Sequence, residues 1–521
     1  MNSAETLIIG SGPSGISAAW PLVLAGREVA LVDGINQSMP LPPAMSIRKF
    51  REDPASWKYI YGSDLSGLHI DKNISPKFAT PIGQRLLADD GFESQLNLRD
   101  FFGQRALMPG GQSLVWGAFC STFDNKDLME FPVNQSDLMD GYKSVASRIG
   151  LSGGNDDMGE FHGTYYDLHH PPALNSLIAD VYDRYKKIKF DPNEFKLGLA
   201  RNAVITRNVD GREGCNECGL CLYGCSRNSI YSSDLEIEKL NKFPNFKYFP
   251  NSVVSKLISL DGVNKKIEIN RSSIVDVRRL VLAAGTISST ALILEYAGFY
   301  RTKIPLLSNP CAAMAFIMPK YIQTNFPEKS FGLGQLSYRL GLNPEEDYVT
   351  GVLYAADTLP LDVFARHLPF TSLVAFKLTS AILPAIMPVT AYLSSKFSHN
   401  YLSIDRNGKN VEIILEGNRT AAAGRHIFAA RNRLVKYLKK CGAYYVPSSL
   451  KFSPPGGDAH LAGTIPMGGD GILSSSKFGE LNLAKNVYVV DGSALPSLPA
   501  KHCSFTIMAN AHRIGRFLAE N

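Results

Sequence analysis

A glycine-rich turn between two short apolar runs constrains the first part of the chain most strongly. Leu7-Ile8-Ile9 leads into Gly10-Ser11-Gly12-Pro13-Ser14-Gly15, a helix-like stretch follows, and the strand-like run Val29-Ala30-Leu31-Val32 ends on Asp33. In a dinucleotide-binding βαβ unit the three glycines make the tight turn, admit the pyrophosphate and allow close helix–strand packing, while the acid binds a ribose hydroxyl. The sequence therefore predicts a dinucleotide site at a helix N-terminus, formed by Gly10, Gly12, Pro13, Ser14, Gly15 and Asp33.

The C-terminal part of the chain carries a second set of ordered motifs. Residues 486–490 predict a buried strand that runs into Asp491-Gly492-Ser493, and Lys501-His502-Cys503-Ser504-Phe505-Thr506 precedes a helix predicted over residues 507–520. Upstream of this strand stands Asp458-Ala459-His460-Leu461-Ala462-Gly463-Thr464. This layout resembles the glucose-methanol-choline (GMC) family of flavoprotein oxidoreductases, in which the corresponding motifs close the flavin site.

Two internal stretches extend the resemblance over most of the chain. Residues 109–117, Pro-Gly-Gly-Gln-Ser-Leu-Val-Trp-Gly, are similar to the family's loop against the flavin ring, and residues 279–289 are similar to its strand–glycine–helix signature. Some family members attach the flavin covalently to a histidine two residues after the serine of that loop, and Val115 stands there in this chain. The resemblance thus implies non-covalent FAD, with these further cofactor-binding residues: Gly110, Gly111, Ser113, Trp116, Gly117, Ala284, Gly285, Asp491, Gly492, Ser504, Phe505 and Thr506.

The resemblance also implies the fold class and the domain organisation. It predicts an α/β protein with a Rossmann-like FAD-binding domain and an α+β substrate domain on an antiparallel sheet. The FAD-binding domain is expected to be discontinuous, from residues 1–120, 200–300 and 450–521, and residues 121–199 and 301–449 are expected to form the substrate or cap domain. Within the latter, two alternating runs bracket Asn407-Gly408 as a hairpin, and residues 419–440 predict an amphipathic helix.

Composition excludes some other classes of protein. The chain has 521 residues, of which 45% are hydrophobic and 20% charged, so it is long enough for two domains with sizeable cores. A net charge of +6 is too diluted over this length to indicate nucleic-acid binding. The dinucleotide motif begins where a signal peptide would have to lie, so we expect a cytoplasmic protein.

Two histidines are the candidate catalytic residues. Oxidation of an alcohol needs a hydride acceptor, which flavin supplies, and a base for the hydroxyl proton, for which imidazole has a suitable pKa. By the resemblance, His460 is assigned as the general base and His502 as the partner that orients the alcohol and stabilises the developing alkoxide. The sequence does not divide the titration between the two imidazoles.

A cysteine run is the second unusual feature. Cys215, Cys218, Cys221 and Cys225 have the C-x2-C-x2-C-x3-C spacing of bacterial ferredoxins, although Ser226 replaces the proline that normally follows. An iron–sulfur cluster and a cysteine-rich turn that packs near the flavin both remain open, and zinc is less suited to this spacing. A cluster would pass electrons to a partner and make the enzyme a dehydrogenase, whereas a plain flavin pocket discharges to dioxygen or a quinone.

An apolar block over residues 364–393 permits three interpretations. Its continuous apolar run, residues 378–393, is too short and too interrupted by proline to span a bilayer, which needs ~20 residues. It is a core or channel wall of the substrate domain, a peripheral membrane contact, or a docking face for another subunit.

These features support one leading hypothesis and several alternatives. The leading hypothesis is an FAD-dependent dehydrogenase of an alcohol, with a sugar or polyol ahead of a lipidic or sterol-like alcohol and an oxidase as the less favoured form. A non-catalytic electron-relay flavoprotein is the alternative from another class, and the intact pair His460 and His502 argues against it. An NAD-dependent dehydrogenase would need a second nucleotide motif, which the sequence does not contain.

Overall fold

The computed structural model of the protein describes residues 3–35, 41–69, 75–87, 95–342, 348–365, 368–408 and 410–521. The strands are β1 (Ser3–Ile9), β2 (Val29–Val32), β3 (Gln95–Arg99), β4 (Phe195–Leu199), β5 (Phe246–Phe249), β6 (Val254–Ser259), β7 (Lys265–Ile269), β8 (Ser273–Leu282), β9 (Ile304–Leu306), β10 (Cys311–Ile317), β11 (Leu336–Gly341), β12 (Tyr348–Leu353), β13 (Ile386–Tyr392), β14 (Asn400–Asn407), β15 (Asn410–Glu416), β16 (Tyr444–Tyr445), β17 (Lys451–Phe452) and β18 (Val487–Val489). The α-helices are α1 (Pro13–Leu24), α2 (Ile47–Glu52), α3 (Trp57–Tyr61), α4 (Pro81–Leu87), α5 (Gln135–Ile149), α6 (Gly159–His162), α7 (Ser176–Lys187), α8 (Ile237–Leu240), α9 (Thr286–Ala297), α10 (Asp362–Ala365), α11 (Ser372–Ile382), α12 (Ala421–Lys440) and α13 (Ser504–Glu520).

The first sheet joins segments that lie far apart in the chain. Its strand order is β5-β2-β1-β8-β7-β6, and the last part of β8 also pairs with β18. β1 is parallel to both β2 and β8, and β18 is parallel to β8. Helices α1 and α13 pack on this sheet through one buried apolar cluster that includes Ile16, Leu22 and Ile514. The parallel strands therefore end at one common edge, where a dinucleotide binds in folds of this type.

The second sheet is antiparallel at every strand pair and faces that edge. Its order is β16-β10-β13-β12-β11-β4, with β17 also paired to β10. One face packs on α7 and α12, whose side chains Ile178, Ile427 and Leu434 are buried in the largest apolar cluster. The other face is left for a cavity, so the predicted pairing of a Rossmann-like sheet with an antiparallel α+β unit is confirmed.

The predicted local elements are present with small shifts of boundary. The hairpin around Asn407-Gly408 forms as β14 and β15, with Asn407 opposite Asn410, but it belongs to a third, four-stranded sheet of order β3-β15-β14-β9. The helix predicted over residues 419–440 begins at Ala421, because the Thr420 side chain accepts a hydrogen bond from the Ala423 N–H and caps it. The C-terminal helix begins at Ser504, earlier than the apolar pattern indicated.

The apolar block over residues 364–393 splits into a helix and a strand. Its second half enters the core as β13, in which Met387, Val389 and Ala391 are fully buried. Its first half includes α11, most of whose side chains are exposed, while residues 366 and 367 lie outside the described residues. Among the residues that the structure describes, no helix is long and apolar enough to cross a membrane.

Candidate active site

A large cavity separates the edge of the first sheet from the open face of the second sheet. It has a volume of about 1270 Å³. Pockets for small ligands have volumes of ~300–1,000 Å³, so this cavity has room for a dinucleotide together with a substrate. Its walls carry the ends of β1, β2 and β8 on one side and β10 and β13 on the other.

The N-terminal glycine turn has the geometry that a dinucleotide requires. Gly10 has a φ of +98°, and a Cβ placed there would lie 2.6 Å from the Ala283 carbonyl oxygen. A Cβ at Gly15 would lie 1.9 Å from the Gly10 carbonyl oxygen, so neither position accepts a side chain. A Cβ at Gly12 would meet nothing within 4 Å, and Gly12 lines the cavity. Since Gly12 caps α1, the open space lies where backbone N–H groups meet a phosphate.

Asp33 closes the same turn from the end of β2. Its carboxylate accepts hydrogen bonds from the Ser11 hydroxyl and, at 2.8 Å, from the Gly34 N–H. The side chain lines the cavity, and burial raises its pKa. The acid therefore stands in the place predicted for a ribose contact, held by Ser11, whose role the sequence did not indicate.

The internal loop that was predicted to contact the flavin forms a one-turn 3-10 helix, Gly111–Leu114, in the cavity wall. The Ser113 hydroxyl donates to the Gly110 carbonyl at 2.5 Å, and the Trp116 indole N–H donates to the Tyr231 carbonyl at 2.8 Å. These bonds hold the loop in place against the cavity, which its residues Gly111, Ser113 and Trp116 line.

Asp491 ties the C-terminal strand to the strand–glycine–helix motif. Its buried carboxylate accepts hydrogen bonds from the Gly285 N–H at 3.0 Å, the Ser289 hydroxyl at 2.5 Å and the Ser493 N–H at 3.0 Å. Burial raises the pKa of this carboxyl. Asp491 thereby holds Gly285 at the cavity wall.

Most of the residues predicted to bind the cofactor converge on this one cavity. The predicted residues that line it are Gly10, Gly12, Pro13, Ser14, Asp33, Gly111, Ser113, Trp116, Gly117, Ala284, Gly285, Asp491, Gly492 and Ser504. Four others lie behind the wall: Gly15 and Gly110 support the two glycine turns, Phe505 packs on Tyr142 with ring centroids 5.0 Å apart, and the Thr506 hydroxyl bonds the Tyr142 hydroxyl at 2.7 Å.

The two candidate catalytic histidines lie side by side in the cavity. The ring centroids of His460 and His502 are 4.9 Å apart and the rings are nearly perpendicular, at 80°. Tyr392 lies against both, with its ring centroid 5.8 Å from that of His460 and 4.9 Å from that of His502. Phe119 covers the other side of His502 at 4.5 Å. The pair is thus packed rigidly in one small part of the cavity.

Asn309 determines which nitrogen of His460 carries the proton. The Asn309 amide nitrogen donates to the carbonyls of Leu393 at 2.7 Å and Pro499 at 2.9 Å, so its oxygen must face His460. That oxygen lies 3.2 Å from His460 Nδ1, and an Asp458 carboxylate oxygen lies 3.5 Å from the same nitrogen. Both neighbours accept, so Nδ1 is protonated and the lone pair is on Nε2. A base with a free Nε2 is what removal of a hydroxyl proton requires.

Burial keeps both imidazoles neutral. It lowers the pKa of His460 from 6.5 to about 4. The pKa of His502 is lowered further because His460, His162 and Lys77 add positive potential to the same desolvation. Asp458, buried beneath His460, has a pKa raised to about 7. At neutral pH each imidazole is therefore neutral, and its unprotonated ring nitrogen is able to accept a proton.

Sequence reasoning missed three residues of this site. Asn309 and Tyr392 are far from both histidines in the chain, and neither lies in a recognisable motif. Lys77 lines the cavity, its Nζ would be 3.6 Å from a Cβ on Gly117, and burial lowers its pKa to about 8. The sequence singled out the loop of Trp116 and Gly117, which Lys77 faces. Nothing in that loop indicates that a lysine lies against it.

The four cysteines of the predicted cluster site lie outside the cavity wall. Cys215 and Cys221 pack against the apolar cluster around Tyr231, whereas Cys218 packs against the cluster around Phe50. All four are free thiols, and within the described ranges no three His, Cys, Asp or Glu side chains converge to hold a metal ion. The thiols of Cys215, Cys218 and Cys225 nonetheless lie close enough to Cys221 to add to the rise of its pKa, which burial dominates. The iron–sulfur cluster therefore stays a prediction.

The metal content of the purified protein tests whether the four cysteines hold an iron–sulfur cluster. We expect anaerobically purified protein to contain iron and acid-labile sulfide far below one cluster per chain, because within the described residues no three of these thiols lie together as metal ligands would. A Cys221→Ser variant serves as the control and should have the same iron content as the wild type. Four iron atoms per chain, lost in Cys221→Ser, would contradict the expectation.

The residue at position 115 predicts how the flavin is held. Val115 lines the cavity in the loop that faces the predicted flavin, and valine offers no nucleophile for a bond to the ring. We expect acid precipitation of the yellow protein to release all its colour into the supernatant. Colour retained in the washed pellet would show a covalent bond at another residue.

Comparison with known proteins places this geometry among flavoprotein oxidoreductases. Residues 421–511 match a family model described as GMC oxidoreductase. The structure is similar to that of pyridoxine 4-oxidase from Mesorbium loti, with a TM-score of 0.65 and 13% identity over 100% of both chains. It is also similar to formate oxidase from Aspergillus oryzae RIB40, studied for the effect of a mutation on FAD modification, with a TM-score of 0.59, 11% identity, and 99% of this chain and 97% of that chain covered. No curated protein matches the chain in sequence.

Proposed function

Because the chain belongs to the GMC oxidoreductase family, we propose that it is an FAD-dependent enzyme that oxidises an alcohol with His460 as the general base. GMC oxidoreductases bind FAD. The observation that carries the proposal is the hydrogen-bonded tautomer of His460 beside His502, on a cavity that also contains the glycine turn.

The residues that would hold FAD follow from the cavity wall. The N-terminus of α1, with the open space at Gly12, would bind the pyrophosphate, and Asp33 would bind the ribose. The loop of Ser113 and Trp116 and the motif of Gly285 would contact the ring system. When bound, FAD supplies the acceptor for the hydride that leaves the carbinol carbon.

The histidine pair would handle the proton of the alcohol. Nε2 of His460 accepts the hydroxyl proton as the C–H hydride leaves, so the alcohol becomes a carbonyl compound and the positive charge rests on an imidazolium. The Asp458 carboxylate below Nδ1 stabilises that imidazolium. His502, neutral and close to His460, orients the hydroxyl group by a hydrogen bond.

The walls opposite the predicted flavin favour a substrate with an apolar body. Side chains alternate along a strand, so Ala313, Ala315 and Pro388 face the cavity while their neighbours Met314 and Val389 enter the core. The hydroxyls of two further lining residues are taken by backbone groups: Thr390 accepts from the Val352 N–H at 3.0 Å, and Ser449 accepts from the Ala315 N–H at 3.0 Å.

Among these residues of the second sheet and its flanking loop, a sugar would find few partners for its hydroxyl groups, although Lys77, Tyr354 and Lys451 also line the cavity. A buried hydroxyl without a hydrogen bond costs ~1–3 kcal/mol, so a polyol would lose affinity with each ring hydroxyl. We therefore place a lipidic or other aliphatic alcohol ahead of a sugar or polyol, which reverses the order expected from sequence. Since no metal-binding group is found among the described residues, we propose reoxidation by dioxygen or a quinone in place of transfer to a protein partner.

Anaerobic flavin reduction by a series of alcohols tests this function. Burial of one methylene contributes ~0.8 kcal/mol, so kcat/KM should rise by up to about fourfold per added CH2 among primary alkanols until the cavity is filled. Sorbitol and glucose serve as the matched polyols and should bleach the flavin bands slowly. Bleaching by polyols alone would restore a sugar substrate, and no bleaching by any alcohol would favour an electron-relay flavoprotein.

A further inference from the structure

The outer face of α11 and the residues before it carry exposed apolar side chains. Phe370 is 55% exposed, Leu373 67%, Val374 43%, Phe376 42% and Leu378 37%. Such a run of neighbouring large apolar residues differs from the single exposed apolar residues found elsewhere on a protein surface, and it marks an interaction site.

The opposite face of α11 forms part of the cavity wall. Thr379, Ile382 and Leu383 line the cavity, and so do Phe364 and Leu368 from the residues that precede the helix. A helix with side chains is ~10–12 Å thick, so only one helix separates the apolar cavity from the exposed apolar face.

A second apolar segment borders the cavity next to α11. Tyr61 of α3 donates a hydrogen bond to Asp362 of α10, and Ile60 and Tyr61 line the cavity. The same segment exposes Trp57 by 53% and Leu68 by 43%. Tryptophan with neighbouring lysines is the residue pattern of a membrane–water interface, and Lys58 follows Trp57 directly.

The charges of the region fit an anionic surface. No Asp or Glu occurs in the sequence between Asp362 and Asp405, whereas Lys377 stands within α11. Lys377 is exposed among the apolar side chains of α11. Cations beside apolar groups bind anionic lipid headgroups, while a second copy of this face would bring lysine against lysine.

We propose that the outer face of α11, with Phe370, rests on an anionic lipid bilayer as a peripheral contact. The apolar residues enter the boundary between headgroups and acyl chains, and Lys377 stays with the headgroups. The further step, that an apolar alcohol passes from the bilayer into the cavity beside α11, rests on the proposed function. Binding to the bilayer does not depend on it.

Vesicle binding by the holoenzyme tests the contact. Wild-type protein is sedimented with vesicles of phosphatidylcholine and phosphatidylglycerol, and a double variant with Leu373→Ser and Phe376→Ser is compared with it. The matched control carries Met129→Ser and Val263→Ser, which replace side chains that are 81% and 72% exposed elsewhere on the surface. We expect the α11 variant to lose about tenfold or more of its vesicle partitioning, while the control binds like the wild type.

Lys377→Glu and a soluble substrate complete the test. Lys377→Glu should lower binding about fivefold or more on anionic vesicles and little on vesicles of phosphatidylcholine alone. All variants should reduce flavin normally with a short, water-soluble alcohol, since none of the replaced residues lines the cavity. If neither the wild type nor any variant reduces its flavin with the short alcohol, while vesicle binding by the wild type is intact, the proposed function is refuted. The membrane contact of α11 would still stand.

Two results would overturn the contact. Equal vesicle binding by the α11 variant and the control would place the lipid surface elsewhere. Failure of the wild type to bind vesicles, combined with a dimer in solution that Leu373→Ser and Phe376→Ser convert to a monomer, would assign the face to a second copy of the chain.

Discussion

Replacement of His460 by alanine should lower the rate constant of flavin reduction by alcohol by about 10²–10⁴-fold, the usual contribution of a general base. FAD should stay bound, because His460 makes its bonds to Asn309 and Asp458 and is not among the residues assigned to hold the cofactor. Anaerobic stopped-flow reduction of the flavin measures the effect directly, without the reoxidation step. His502→Ala should also slow reduction severely.

His512→Ala is the matched control for this prediction. His512 is 7% exposed and lies on α13, away from the cavity wall, so its loss removes a buried imidazole without removing a base. Reduction at the wild-type rate is expected in the control. Near-normal reduction in His460→Ala would remove this residue from the mechanism.

The pH profile of the wild type follows from the lowered pKa of the base. His460 accepts a proton only when it is neutral, and its pKa of about 4 keeps it neutral throughout the neutral range. The Asp458 carboxylate, which stabilises the imidazolium, has a pKa of about 7. The reduction rate should therefore decline partly as Asp458 is protonated below about pH 7, and fall fully only as the pH approaches about 4. The apparent pKa belongs to the pair of imidazoles. Complete loss of reduction in a single step centred near 6.5 would mean that the histidines are not desolvated in the holoenzyme.

Gly12→Val should give a folded protein that contains no FAD. The backbone at Gly12, with φ −59° and ψ 173°, is allowed for valine, and a Cβ there meets nothing within 4 Å. The added methyl groups would fill the space where the first turn of α1 meets the pyrophosphate. Purified protein should lack the flavin absorption bands and show no activity, with a far-UV circular dichroism spectrum like that of the wild type.

Gly424→Val separates the loss of cofactor from a general effect of valine. A Cβ at Gly424 also meets nothing within 4 Å, but this glycine lies in α12, on the far side of the second sheet from the cavity. Valine is a better helix former than glycine, so this variant should keep its FAD and its stability. A Gly12→Val protein with stoichiometric FAD would place the pyrophosphate elsewhere.

The sequence was informative where function depends on short stretches of backbone. Gly10 and Gly15 could be recognised because steric contact with neighbouring backbone in a βαβ unit excludes every side chain. Asp33 could be recognised because it follows the second strand of that unit. His460 and His502, the two imidazoles of the cavity, could be identified only because the motifs around them resemble those of the GMC family.

Local sequence patterns predicted individual helices and strands better than they predicted which strands pair with one another. The hairpin at Asn407-Gly408 forms as expected, since turn chemistry and alternation act within a few residues. Its place in a separate sheet with β3 was not predictable, because strand partners distant in the chain are selected by packing. The cysteine spacing likewise did not indicate that Cys215 and Cys218 pack against different apolar clusters.

The sequence by itself determined that this chain has a tight glycine turn before α1, an acid at the end of β2 and two histidines in a C-terminal motif, because each of these depends on residues close together in the chain. Only the tertiary structure decided which nitrogen of His460 is free, that Ala313, Ala315 and Pro388 face the cavity, and that α11 exposes its outer face. Asn309 reaches His460 across 151 residues, and Pro388 faces the cavity only through the register of β13 on β10. Such contacts arise from burial and long-range strand pairing, which no local pattern encodes.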